Sequence, residues 1–158
     1  MKTRLTFKAG LSALLMMLVM GLGSCEDEDL KKTLDAEQLV SGRIGGTWAS
    51  PSHIVTPEGV PPEIFGAMRL VFTTDNSGNP DEFLAKDCPI VFSGPAGKWT
   101  VSGTQEDAKI KLTGVTPVDE FSAKVSAGTL TISFRMGWEN TETGVQGQGD
   151  FSVTLSRQ

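Results

Sequence analysis

His53 is the only histidine in the chain, so any histidine chemistry must run through it. It sits among Pro51, Pro57, Pro61 and Pro62, with no cysteine or second histidine nearby to complete a metal site. Serines are plentiful enough for a Ser-His-Asp triad, but no Gly-x-Ser-x-Gly elbow occurs. An exposed loop histidine is the expectation. Glycoside hydrolysis needs two carboxylates at a set separation across a cleft. Asp81-Glu82 and Asp119-Glu120 are adjacent in sequence, and neighbours on an extended chain point to opposite faces. They read as solubilising charges at strand ends. Asp75-Asn76-Ser77-Gly78-Asn79 shares the acidic opening of a calcium loop, but lacks the glycine at the sixth position and the distal glutamate. An Asx-type turn is expected there. Gly144, Gly147 and Gly149 lie in the polar stretch 139–150, which reads as an exposed loop or frayed hairpin end, with no phosphate-binding loop. No catalytic residue, metal site or cofactor is expected.

Three tryptophans remain as binding candidates, because an indole offers a large apolar face with one polar handle. Trp99 shares strand parity with Val101 and belongs to the core. Trp138 continues the parity of Phe134 and Met136 at a strand end, the best placement for stacking on a sugar or lipid tail at a barrel mouth. Trp48 falls between these cases, so Trp48 and Trp138 are the candidate ligand-binding residues.

The two cysteines carry different chemistry. Lys2, Arg4 and Lys8 precede the apolar run 9–20, and Gly21, Gly23 and Ser24 follow it. Positive start, short apolar core and small-residue exit make a secretory signal. The run is too short to span a bilayer, which takes about 20 apolar residues. Leu22-Gly23-Ser24-Cys25 resembles the lipobox of bacterial lipoproteins. The resemblance implies cleavage before Cys25, a diacylglycerol on its thiol, and a mature protein moored to a membrane. One fatty chain holds marginally and two or more hold stably, at about 0.8 kcal/mol per buried methylene. With Cys25 acylated, Cys88 has no disulfide partner and reads as a small buried hydrophobe.

Glu26, Asp27, Glu28 and Asp29 follow at once. The run is similar to the surface-export signal of Bacteroidetes-type lipoproteins, which implies an outer-membrane protein exposed at the cell surface, with a periplasm-facing location as the alternative. A like-charged run also stays extended and solvated. Removing residues 1–24 takes away 3 of the 14 basic residues and none of the 19 acidic ones, leaving 134 residues with a charge of 11 − 19 = −8. That balance speaks against nucleic acid as a partner and against electrostatic adhesion to anionic lipid.

The elements follow from periodicity. The expected organisation is a signal peptide at 1–24, an acidic tether at 25–36 and a single antiparallel β domain at 37–158. Asp35 is a candidate N-cap for a short helix that Ser41-Gly42 would end. A glycine-led strand is expected over 43–48. Residues 50–63, rich in proline, read as a long loop. Met68, Leu70 and Phe72 alternate with Arg69, Val71 and Thr73, consistent with a strand. The period of two becomes steady from Ile90, through Trp99 and Val101, Ile110 and Leu112, Phe121 to Val125, Leu130 to Met136, and Phe151 to Leu155. Alternation without intervening amphipathic helices predicts an all-β antiparallel fold, a barrel or a sandwich. Gly46-Thr47-Trp48, Gly97-Lys98-Trp99 and the closing Phe151-Ser152-Val153-Thr154-Leu155 resemble the small lipocalin-like domains of Bacteroidetes lipoproteins. That implies an up-and-down β-barrel or flattened sandwich; an immunoglobulin-like β-sandwich is the competing architecture. The expected function is binding without catalysis, of a small apolar or glycan ligand or of an outer-membrane partner protein. A structural or accessory subunit with a solid core is the alternative, and a carboxylate-based hydrolase the third reading.

Overall fold

Alternation along the chain becomes eight antiparallel strands in the computed structural model, which describes residues 34–158. They are β1 (Gly46–Val55), β2 (Arg69–Thr74), β3 (Pro80–Lys86), β4 (Ala96–Thr104), β5 (Asp107–Thr113), β6 (Glu120–Val125), β7 (Thr129–Glu139) and β8 (Gln146–Arg157). Each pairs with its sequence neighbours, and β8 returns to β1, so the sheet closes as an up-and-down, lipocalin-like barrel. Closure excludes the two-sheet immunoglobulin-like sandwich. The expected signal peptide, Cys25 and the run Glu26, Asp27, Glu28 and Asp29 lie outside the described residues.

The inward side chains are those whose parity the alternation marks. Leu70 and Phe72, Phe83 and Ala85, Trp99 and Val101, Ile110 and Leu112, and Phe151, Val153 and Leu155 are all buried. An eight-stranded barrel has an interior just wide enough for side chains to fill. Trp48, Phe65, Met68, Leu70, Ile110, Leu130, Ile132, Val153 and Leu155 are 0 % exposed. A water-sized chamber against any of them would leave accessible surface, so the interior around them is solid.

Both ends are closed, by different means. The helix α1 (Ala36–Ile44) covers one end with Val40 and Ile44 buried beneath it. Asp35 caps it as expected: its carboxylate accepts from the Gln38 amide at 2.8 Å, while the Gln38 side chain accepts from the Asp35 amide at 3.0 Å. The helix does not stop at Ser41-Gly42 but runs to Ile44, displacing the expected strand start to Gly46. Burial of Ile44 outweighs the modest helix penalty of one glycine. Arg157 then holds the helix end: its guanidinium lies 4.3 Å from the Trp48 ring centroid and donates to the carbonyls of Gly45 (2.8 Å) and Arg43. A cation at the carbonyl end of a helix also complements its dipole.

Loops 56–68, 87–95, 114–119 and 140–145 gather at the opposite end. Phe65, from the short 3-10 turn Pro62–Phe65, plugs that mouth with its ring 5.9 Å from Phe151 and 6.3 Å from Phe134. Phe92 fills the other side, 5.3 Å from Phe83 and 6.1 Å from Phe121. Ile90, expected to open the steady strand pattern, lies instead in a turn over 89–91 that delivers Val91 into the mouth, together with Phe92, which makes an isolated bridge to Pro117.

Two further expectations about loops are corrected. Residues 50–55 are strand, not loop: Pro51 is accommodated because β1 shifts register against β8 between Ala49 and Ser52 and again between Ser52 and Val55. A bulge leaves backbone groups out of the ladder, so a residue without an N–H costs little there. Ser50 and His53 mark the two irregularities with φ of 54° and 46°. Within 139–150, residues 146–150 belong to β8, and the loop shrinks to 140–145.

A groove at the loop end of the barrel

The β7–β8 hairpin outruns the rest of the wall. The last β1–β8 pair is Val55 with Ser152, yet β7 and β8 stay paired up to Glu139 with Gln146. The hairpin tip therefore stands beyond β1, and its inward parity delivers Trp138 outside the filled core. The ring is seated between two glycines. Gly147 is its cross-strand partner, and a Cβ there would lie 2.7 Å from Trp138 Cζ2. Gly59 approaches from the 56–61 segment, where a Cβ would lie 3.2 Å from Cη2 and where φ is +88°. Only residues without a side chain let the indole settle flat against both.

Beside the ring lies a groove of about 460 Å³, walled by Val60, Pro61 and Ile64 on one side and by Met136 to Glu142 on the other, with Ile90 at its edge. Ile90 is 57 % exposed, and Val145 at the hairpin tip 54 %. Glu139 and Glu142 stand on the rim, both exposed. Among the described residues, the indole N–H of Trp138 is the buried side-chain polar atom that lacks a hydrogen-bond partner. Such an atom costs roughly 1–3 kcal/mol until an acceptor reaches it.

Trp48 and Trp138 are not brought together. Trp48 pairs with Arg157 and Trp138 with Gly147, which puts them at opposite ends of β8. Trp48 is 0 % exposed, its N–H donates to the Ile44 carbonyl at 2.7 Å, and Arg157 covers its face. It is a core residue with no surface to offer a ligand. Trp99 is also core, as expected, donating to the Thr73 carbonyl at 2.8 Å.

The other chemical candidates take the roles their neighbours allow. His53 is exposed on the β1 bulge with its Nδ1 3.3 Å from Ser52 Oγ. Asp81 and Glu82 sit on the outer wall, 2.6 and 3.7 Å from Lys98 Nζ. Asp75 accepts from the Ser77 and Asn79 amides at 2.8 and 2.9 Å and from the Asn79 side chain at 2.9 Å. That last contact first, then the backbone donors, hold its carboxyl below the usual carboxylate range, and the loop is an Asx-type turn. Cys88 is buried, and its Sγ donates to the Lys86 carbonyl at 3.3 Å. Burial, helped by the adjacent Asp87 charge, pushes its pKa from 9.0 up to about 11, so at neutral pH it is a thiol and a poor nucleophile. Among the described residues no three His, Cys, Asp or Glu side chains gather as a metal site.

Gly59, Val60, Pro61, Ile64, Ile90, Glu139 and Glu142 join Trp138 only through the fold, because three chain segments supply them. The legible trace was a tryptophan at a strand end beside a glycine-rich return strand.

No protein-family model and no characterised protein sequence matches this chain.

Proposed function

We propose that the protein is an outer-membrane lipoprotein, moored by acyl chains on Cys25 and exposed at the cell surface, whose barrel binds a partner protein through the Trp138 groove without catalysis. The observation that carries the binding mode is the contrast between a filled interior and an open groove at the loop end. A carrier of the lipocalin type needs a chamber, and the side chains here occupy that space. The mooring rests on the signal-like N-terminus and Leu22-Gly23-Ser24-Cys25; the outward location rests on Glu26, Asp27, Glu28 and Asp29.

A small apolar or glycan ligand is the second reading, favoured by a groove volume inside the roughly 300–1,000 Å³ range of small-molecule sites. The exposure of Glu139, Thr141 and Glu142 along the groove suits a partner segment better than an engulfed ligand. The hydrolase reading is the weakest. Glu139 and Glu142 are both exposed, while a general acid works best shielded from water.

A photo-crosslinking residue at Ile90, in living cells, tests the binding mode. A discrete protein adduct that disappears with Trp138→Ala is expected. Adducts from a probe at Leu39, on the helix end, with none from Ile90, would refute it. Cys25→Ala is expected to move the protein from the membrane to the soluble fraction, and native mass spectrometry to find the acylated cysteine at the N-terminus.

A further inference from the structure

The four loops at the groove end carry Glu58, Glu63, Asp87, Asp119 and Glu142, and no lysine or arginine. All five side chains are exposed, and among the described residues none lies within ion-pair distance of a cation. Elsewhere the barrel mixes its charges: Lys98 meets Asp81, Lys124 meets Glu106, and Arg135 meets Asp150. The loops around the apolar groove therefore carry carboxylates alone, and the nearest cations in sequence, Arg69 and Lys86, stand as a cross-strand pair where β2 and β3 meet those loops. Like charges gathered without counter-charges repel one another, and a cation brought among them relieves that repulsion.

We infer that the occupant of the Trp138 groove is an extended basic–apolar segment of a partner protein, setting an aliphatic side chain against Trp138, Ile64 and Ile90 while flanking lysines or arginines meet Glu139, Glu142 and the surrounding loop carboxylates. The inference rests on the reading of the groove as a partner site and adds the chemistry of what enters. An acidic or phosphorylated segment in the groove would meet like charge at Glu139 and Glu142.

The test uses the full-length protein, purified from membranes into uncharged phosphatidylcholine nanodiscs, with empty nanodiscs as control. The probe is a dye-labelled hexapeptide of alternating lysine and leucine, read by fluorescence polarisation. Two comparison peptides replace lysine by glutamate or leucine by serine. The lysine–leucine peptide is expected to bind, and to bind more weakly as salt rises. Glu139→Gln and Glu142→Gln are each expected to weaken it roughly threefold, the scale of an exposed ion pair. Ile90→Ser, an exposed position whose replacement leaves the core intact, is expected to weaken it without changing the denaturation midpoint. Equal binding of the glutamate–leucine peptide, or binding indifferent to salt and to both glutamine substitutions, overturns the charge inference while leaving the groove reading in place. No binding of the lysine–leucine peptide overturns it as well. Failure of the groove reading itself shows instead as the absence of an Ile90 cross-link in cells.

Discussion

Gly147 faces Trp138 across the β7–β8 ladder, and the contact is with a rigid ring, not with the end of a flexible chain. A methyl group at 147 would stand 2.7 Å from Cζ2 and 3.0 Å from Nε1, so the indole has to leave its seat. Gly147→Ala is expected to cost about 1–3 kcal/mol, as overpacking does, and to shift tryptophan emission to the red as the ring becomes wet. Denaturant titration and emission spectra check both effects; an unchanged spectrum would mean that the ring is not held there. Cys88 supplies the residue-scale pH dependence. The folded chain keeps the thiol proton more tightly than the unfolded chain, with a pKa of about 11 against 9.0. Its contribution to stability is therefore complete below pH 9 and falls away as pH climbs toward 11. Cys88→Ala is expected to flatten that part of the alkaline decline in thermal midpoint. Superposable alkaline curves for the two proteins would show that Cys88 does not titrate as argued.

At the scale of elements, α1 and its cap decide how the helix end stays shut. Asp35 and Gln38 exchange hydrogen bonds in a capping box, but Gln38 does more. Its amide also donates to the Ser77 carbonyl at 2.9 Å and to Asn79 Oδ1 at 3.2 Å, tying α1 to the β2–β3 turn. Asp35→Ala is expected to cost about 1 kcal/mol, the usual loss of an N-cap. Gln38→Ala is expected to cost more, because it removes a cap and a tie between two elements at once. Denaturation midpoints rank the two, and a smaller loss for Gln38→Ala would show the tie to be without weight. The β1 strand illustrates a different competition. Its proline argues for a loop, but pairing with β2 over Gly46–Trp48, pairing with β8 as far as Val55 and burial of Trp48 and Ala49 keep it in the wall, with the conflict absorbed by two register shifts.

For the molecule as a whole, filling is the property with consequences. Phe65 does at the loop end what Ile44 does at the helix end, sealing the barrel with a side chain that is fully buried. Phe65→Ala is expected to cost about 3–5 kcal/mol, the range for removing a buried phenylalanine. If the fold survives, it also leaves a dry hollow against the stacked rings of Phe134 and Phe151, and the variant is expected to bind a benzene-sized apolar probe that the unaltered protein excludes. Tight binding of that probe by the unaltered protein would contradict the solid interior. Filling also bears on where binding occurs, since a closed, filled barrel meets other molecules only on its walls and loops.

The sequence by itself determined the all-β character and the facing of each regular strand. Alternation is a local property: once neighbours point to opposite faces, the apolar set has one side to take, as Ile110 with Leu112 and Leu130 with Ile132 do. It also determined the Asp35 cap, the Asp75 turn and the burial of Cys88, each settled within a few residues. Tertiary structure alone decided barrel over sandwich, because closure depends on β8 meeting β1, an encounter between residues about a hundred positions apart. It decided too that Trp48 is sealed beneath Arg157 while Trp138 stands on a projecting hairpin. Both tryptophans occupy the inner parity of a strand. What separates them is how far the neighbouring strands extend beside them, and that is set by pairing between distant segments.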